Sequence, residues 1–317
     1  MLSDDALGAF ILVLANSHQD QFLNSELEAD LKKKFLTLKN NYSAGNLQAP
    51  QDDIDVFEQL FDIELDDIPV WQSRRVGEWE ITCNSMRQMR PARSASQILS
   101  SIKQPFEETK FHFNKPFLKP EILWEGLYKG INLRVLFNKF PFSDYHLLIV
   151  LSPEKNSSQL LTQETHQHVF SLVEEMSDVF PGLGIGFNSL AAGASVNHFH
   201  FQGFVRQQPF PIEKDFWQHN GGERRYPLEV KRFLDHKSSW QYLEQLTGQD
   251  KAFNCLYLNN CCYVIPRKYQ GTIELPEWLD GAGWIDVAGS ITVSDNKTFH
   301  AIGEQSVSNA LALLSDD

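Results

Sequence analysis

Along residues 1–68 the apolar positions recur at spacings of three and four, the signature of helices with one buried stripe. Leu27, Leu31, Phe35 and Leu38 form such a stripe, with Ser25 ahead of it as a cap. Ala6–Ala15 forms another behind Ser3, and Ile54, Phe57, Leu60 and Phe61 form a third. The segment 40–51 reads as a loop. Opposite its apolar stripe the third helix carries Asp52, Asp53, Asp55, Glu58 and Asp62, read as a solvated face, with partner docking as the alternative. After Pro69 the pattern changes. Residues 79–86, 131–140 and 145–152 read as strands. Residues 162–179 read as an amphipathic helix with Val169, Leu172, Val173 and Met176 inward and His166 and His168 outward. Two further strands, 182–190 and 197–205, are joined by the small-residue turn 191–196, and 206–226 is a loop. Residues 253–268 predict a hairpin turning at Asn259-Asn260, 283–294 a further strand region and 304–314 a closing helix. Strands and helices in this order imply an α+β fold around an antiparallel sheet. Three segments are expected: a helical extension 1–68, a first unit 69–226, and a weaker second copy 227–317.

Composition narrows the function classes. The chain has 317 residues and a net charge of −13, with 42% hydrophobic residues. That is an ordinary soluble globular balance, and it argues against a general nucleic-acid binder or docking on anionic lipid. No run approaches about 18 apolar residues, so no membrane span is expected. Ala6–Ala15 follows Asp4 and Asp5, whereas a secretory signal carries positive charge there. Four cysteines without a Cys-x-x-Cys pair suit a reducing cytoplasm. Cys261 and Cys262 should point to opposite faces of a strand.

The most informative run is 186–203, which contains His198-x-His200-x-Gln202. On a strand, alternation puts these three polar side chains on one face and Phe199 and Phe201 on the other. The preceding Gly193-Ala194-Ser195 turn is small enough for backbone N–H groups to approach an anion. An imidazole, mostly neutral at pH 7, can attack phosphorus if its far nitrogen carries the proton and is held by an acceptor such as a backbone carbonyl. The phosphoramidate so formed passes readily to a second acceptor. Gln202 does not titrate and can hold a non-bridging phosphate oxygen throughout. A metal site and a purely structural strand remain alternative readings of the same residues. Arg87, Arg90 and Arg93 recur every third residue, and Lys139 and the Arg267-Lys268 pair lie elsewhere in an acidic chain. Converging on the histidine strand they would suit a polyphosphate; otherwise Arg87–Arg93 offset the acidic helix.

Gly193-x-Ser195-x-x-His198-x-His200-x-Gln202 resembles the active-site motif of the histidine-triad superfamily. More narrowly it resembles the branch with Gln as third member: galactose-1-phosphate uridylyltransferase, diadenosine tetraphosphate phosphorylase and the GDP-hexose phosphorylases. Phe187-Asn188-Ser189-Leu190 and Asn197-His198-x-His200-Phe201-Gln202 are most similar to the GDP-hexose phosphorylases. Asn138-Lys139-Phe140-Pro141 followed by His146-Leu147-Leu148-Ile149-Val150 looks like the family's nucleoside-binding strand pair. The resemblance covers 80–205 well, 250–317 weakly and 1–68 not at all. It implies a histidine-triad-like sheet in two related halves, the second degenerate. It implies that His200 is the nucleophile that takes the nucleotidyl group and that His198 supports the geometry. Gln202 and Ser195 would hold phosphate oxygens, and Asn138 would contact the nucleoside. Asn188 and Ser189 would line the phosphate path, with Gly193 and Asn197 on the substrate side. Arg267 and Lys268 match basic residues of the dinucleotide phosphorylases' C-terminal half. His146 is either a site or a core residue.

The departures are informative too. Lys139 stands where the uridylyltransferases carry an acidic residue, which argues against uridine specificity. The zinc-binding Cys-x-x-Cys pair is missing near Phe111-His112-Phe113-Asn114, so no metal and no cofactor are expected. Gln202 favours transfer or phosphorolysis over hydrolysis. The expected partners are a nucleotide or nucleotide-sugar substrate and an acceptor, inorganic phosphate or a sugar phosphate. A hydrolase using water and a non-catalytic nucleotide-binding protein are the rival readings. Members of this kind often pair through sheet edges, so a homodimer is the assembly the resemblance suggests.

Overall fold

The structure is a computed structural model describing residues 7–17, 26–61, 63, 71–89, 99–279 and 281–316. The expected caps Ser3 and Ser25, and Asp4, Asp5, Asp62, Arg90 and Arg93, lie outside the described residues. Three N-terminal helices form first: α1 (Leu7–Ala15), α2 (Glu26–Ser43) and α3 (Gln51–Phe61). Their stripes interlock through Phe10, Leu14, Phe35, Leu38, Phe57 and Leu60, and Met86 and Phe140 join from the rest of the chain. α2 continues through Asn40–Ser43, where a loop was expected, because Tyr42 packs edge-on against Phe57 at 6.0 Å. The acidic face of α3 is not uniformly solvated, since Asp53 is buried against Lys139.

Eight strands build the main sheet: β3 (Ile122–Tyr128), β4 (Ile131–Phe137), β5 (Leu147–Leu151), β6 (Leu183–Asn188), β7 (Phe201–Val205), β8 (Lys231–Phe233), β9 (Ala252–Leu258) and β10 (Cys261–Arg267). Their order is β3-β4-β5-β7-β6-β9-β10-β8, every pair antiparallel. β1 (Gln72–Val76), β2 (Trp79–Cys83) and β11 (Ser290–Val293) form a small second sheet, with β11 parallel to β2. The sequence stretches 69–226 and 227–317 therefore share both sheets, joined at β6–β9 and at β2–β11.

A strand–helix–hairpin unit occurs twice. The first is β5, α4 (Gln163–Met176), β6 and β7; the second is β8, α5 (His236–Gly248), β9 and β10. Each has its first strand beside its third, and the units meet β6 to β9. They differ at the hairpin. Residues 189–200 link β6 to β7, whereas β9 and β10 turn at Asn259-Asn260 alone, so the second unit lacks the loop that carries the histidines.

The two faces of the main sheet are covered differently. Phe187, Phe199, Phe201, Phe253, Cys255, Tyr257, Cys262 and Val264 pack under α4 and α5. Phe204, Leu256, Cys261, Tyr263 and Ile265 pack against the small sheet and the C-terminal helices α6 (Trp284–Val287), α7 (Asn296–Ala301) and α8 (Glu304–Leu313). Cys261 and Cys262 do point to opposite faces. The strand expected over 283–294 is shorter. The Asp286 carboxylate accepts from Gly283 N at 2.8 Å and Thr292 N at 3.2 Å, folding 284–287 into a helical turn ahead of β11. Among the described residues no helix is long and apolar enough to cross a membrane.

His166 and His168 are expected to be exposed, and both are buried: α5 closes over His166, and Tyr128 at the end of β3 packs edge-on against His168 at 5.6 Å. His166 Nδ1 meets Tyr257 Oη at 2.8 Å, and Nε2 meets Ser239 Oγ at 2.8 Å. Burial pushes its pKa down to about 4. Between that value and the unfolded value of about 6.5, the unfolded chain binds more protons, so stability rises with pH. This contribution is complete above pH 6.5 and is lost as pH falls towards 4. Going from pH 7 to 5 removes about 2 kcal/mol through this one group. The loss of melting temperature between pH 7 and 5 is expected to be smaller in His166→Gln than in the parent. Equal losses would assign the acid sensitivity elsewhere.

Candidate active site

His198 and His200 sit just ahead of the β7 ladder, which begins at Phe201, and the chain bends at His198. The register that pairs Gly186 with Gln202 would bring Asn188 opposite His200. The buried carboxamide of Gln159 fills that place instead. Its Oε1 accepts from His200 N at 2.8 Å, and its Nε2 donates to the carbonyls of His200 and Asn188, both at 3.0 Å. One side chain thus satisfies the backbone where the two strands part. Next to it Phe199 N donates to Ser157 O.

Hydrogen bonding assigns the two imidazole tautomers. His200 Nδ1 lies 2.8 Å from the carbonyl oxygen of His198. A carbonyl only accepts, so Nδ1 carries the proton and Nε2 keeps its lone pair. Nε2 has no hydrogen-bond partner among the described residues. Burial pushes the His200 pKa down to about 4, only partly opposed by the His198 carbonyl, so the ring is neutral at pH 7. His198 is held the opposite way. Its Nδ1 accepts from Phe113 N at 3.1 Å, which leaves its proton on Nε2. Its ring stacks on Phe113 at 5.7 Å, and Phe113 also lies 4.9 Å from the His200 ring. Burial first, then the neighbouring His200 and His112, bring the His198 pKa down to about 4. His198 is therefore packed behind the nucleophile candidate.

Gln202 stands on the same face as His200 and is oriented from outside its strand. Trp284 Nε1 donates to Gln202 Oε1 at 2.6 Å. The carboxamide oxygen is thereby occupied and its N–H₂ is left as the donor end. The indole stacks on Phe204 at 4.9 Å and lies flat over Gly186, where a Cβ would come within 2.2 Å of the ring. Asn188 Oδ1 accepts from Trp284 N and Asn254 Nδ2, both at 2.7 Å, which ties the start of α6 to β6 and β9. Gly193 has a left-handed backbone (φ 93°) and runs against Ala282 O. Ser195 is exposed on the following turn.

Other expected site residues have different positions. Ser189 is buried; its hydroxyl accepts from Phe253 N and donates to Leu190 O, joining the loop to β9. Asn197 is used up in the backbone, donating to Gln104 O and Pro105 O and accepting from Gln159 N. Lys139, expected at the substrate, is instead paired with Asp53 at 2.7 Å and Glu121 at 2.8 Å. His146 is 1% exposed, accepts from Phe142 N at 3.3 Å and lies edge-on to the Phe142 ring, a turn-forming core residue. Asn138 shares that turn, its Oδ1 accepting from Phe140 N at 3.0 Å. Phe142 brings the turn beside the site, 5.9 Å from the Trp284 ring. Arg267 is 1% exposed, donates through Nη1 to Ala282 O at 2.7 Å, and is driven down to a pKa of about 10 by burial. Lys268 reaches the Leu313 carbonyl at the end of α8. Arg87 donates to Phe140 O at 2.6 Å and stands over the Phe142 ring. Among the described residues no group of three or more His, Cys, Asp or Glu is gathered for a metal.

Gln159, Phe113, Trp284 and Asn254 were missed because they carry no motif and reach the site only through the fold. The close Gly184-x-Gly186 spacing in β6 was the one available signal, since a strand glycine marks close approach of another group. Gly186→Ala is expected to lower the unfolding free energy by about 1–3 kcal/mol through overpacking. Chemical denaturation checks it, and a neutral result would mean that the indole does not lie against β6.

Residues 77–204 match the family model described as GDPGP1-like, N-terminal domain. GDP-D-glucose phosphorylase 1 of Danio rerio is 35% identical over 123 residues, which are 38% of this chain and 35% of that protein. The Homo sapiens protein of the same name is 30% identical over 131 residues, 38% of this chain and 33% of that protein. The matched stretch thus spans about a third of the length of these curated relatives. Among solved structures, yeast Ap4A phosphorylase Apa2 superposes with a TM-score of 0.55 at 15% identity, covering 83% of this chain and 93% of that one. Its complex with Ap4A gives 0.52 at 15% identity, covering 85% and 100%. The chain shares the overall fold of these solved structures, and residues 77–204 are similar to GDPGP1-like N-terminal domains.

Proposed function

We propose that the protein is a nucleotidyl-transferring phosphorylase acting on a sugar nucleotide or dinucleoside polyphosphate, with His200 as the nucleophile. The observation that carries this reading is the neutral His200 ring, protonated on Nδ1 by its bond to the His198 carbonyl and with Nε2 unengaged. In the first step the Nε2 lone pair attacks the α-phosphorus. The bond from that phosphorus to the bridging oxygen breaks, and a phosphate-bearing fragment leaves with the electron pair. For a GDP-hexose this fragment is the hexose 1-phosphate, and the guanylyl group stays on His200. In the second step inorganic phosphate attacks, the N–P bond breaks, and GDP leaves with His200 restored. The Nδ1 proton stays on the ring, donated to the His198 carbonyl, throughout.

Chemistry of this kind needs positioning and charge stabilisation more than acid catalysis, because the leaving oxygen already belongs to a phosphate. Gln202, with its oxygen held by Trp284, offers an amide donor to a non-bridging oxygen in both steps. The Gly193–Ser195 turn would offer backbone donors on the same side. The Asn138 turn is read as the nucleoside side and the Arg267 strand end as the second unit's contribution. GDP-D-glucose is the first substrate to test, since the curated relatives are named for it.

The test uses GDP-hexose labelled at the α-phosphorus. The parent protein is expected to retain acid-labile label without phosphate and to release labelled GDP when phosphate is added. His200→Ala should retain none. A labelled nucleoside monophosphate formed equally with and without phosphate would make water the acceptor. Nucleotide binding without any adduct would favour a non-catalytic sensor.

A further inference from the structure

Lys139, expected at the substrate, is bound to the N-terminal helices. Its ammonium lies between Asp53 of α3 at 2.7 Å and Glu121 at 2.8 Å, with little solvent on any of the three. The next two residues are gripped from the same side. Phe140 is inserted into the core of α1, α2 and α3. The Pro141 carbonyl accepts from Asn84 Nδ2 at 3.1 Å, and the same amide donates to Ala15 O at the end of α1 at 2.9 Å. Three consecutive residues of one turn are therefore located by the helical layer, while Phe142 at its far end lies 5.9 Å from the Trp284 ring.

We infer that the N-terminal helical layer positions the nucleotide-binding turn 138–146, with Asp53 as a positioning residue acting through Lys139. The inference rests on reading that turn as the nucleoside side. The layer lies outside the stretch matched by the family model. A buried ion pair fixes direction as well as distance, and removing one partner leaves the other uncompensated. Without Asp53 the ammonium is held by Glu121 alone, and the turn gains conformations that do not bind. Affinity then falls by the fraction of time the turn is out of place. His200 is held by Gln159 and by the His198 carbonyl, which touch none of these helices, so the chemical step should survive.

α1 supplies an independent sign of the same role. Gly8 lies directly over the ion pair, where a Cβ would come within 2.7 Å of Asp53 Oδ2 and 3.3 Å of Lys139 Nζ. Glycine is a poor helix former, and here its bare backbone gives the pair room beneath the helix. Gly8→Ala thus disturbs the pair without changing any charge.

The full-length parent, Asp53→Asn, Gly8→Ala and Asp55→Asn would be compared for GDP affinity by calorimetry and for turnover of GDP-D-glucose with phosphate. Melting curves would establish that each variant is folded. Asp55 is exposed on the same helix and serves as the control. Asp53→Asn and Gly8→Ala are expected to weaken GDP binding and raise KM by about tenfold with kcat changed less than about twofold. Asp55→Asn should change neither. Folded variants with unchanged GDP affinity would overturn the inference alone, as would a fall in kcat at constant KM. Unfolding of both test variants would also overturn it, making the layer a condition of folding and not a device for binding. A parent that binds GDP without turnover would defeat the proposed reaction while leaving the affinity comparison decisive. A parent that binds no nucleotide would defeat both.

Discussion

The bond between His200 Nδ1 and the carbonyl of His198 decides what the site can do. An imidazole with its proton on the far nitrogen presents a lone pair; the same ring with the other tautomer presents an N–H and cannot attack phosphorus. That bond exists only while the backbone at 198–200 stays outside the sheet ladder. A regular strand would turn the His198 carbonyl towards its neighbour. Gln159 maintains the departure by satisfying the backbone of both His200 and Asn188 at once. The geometry of the His198–His200 segment is thus set by a buried amide two elements away from the motif.

The sheet explains why the polar residues tolerate burial. One face is closed by Phe187, Phe199, Phe201 and the two long helices, which anchors the histidine segment from behind. The other face carries Gln202, Asn188 and Asn254 in adjoining strands, and α6 packs on it through Trp284. Gly186 lets the indole lie close enough to hold Gln202, so strand packing and orientation of the amide donor are one constraint. Low dielectric around these groups keeps both imidazoles neutral.

Much of this was legible in the residues. Alternation in 197–205 predicts His198, His200 and Gln202 on one face and the phenylalanines on the other; Phe199 and Phe201 do enter the core, although the strand begins only at Phe201, and the hairpin at Asn259-Asn260 is where its turn chemistry puts it. That an imidazole needs an acceptor such as a carbonyl behind it if it is to attack phosphorus also follows from chemistry alone. What periodicity does not carry is partnership across long separations. The spacing of His166 and His168 says that they point apart, but not that α5 closes over the first and Tyr128 of β3 over the second. The charge of Lys139 says that it seeks an anion; only the fold brings Asp53 and Glu121 closer than any substrate. Ser189 and Asn197 look like site residues by their place in the motif, yet the backbone around them claims their hydrogen bonds first. Gln159 has no neighbouring pattern at all, because its role depends on strands that form elsewhere.

The most direct measurement is the nitrogen chemical shifts and attached protons of the His200 imidazole, assigned by comparison with His200→Ala and followed from pH 5.5 to 8. The account requires a proton on Nδ1, a bare Nε2, and no protonation of the ring anywhere in that range. A proton residing on Nε2 of the free protein, or an imidazolium at pH 6.5, would contradict it.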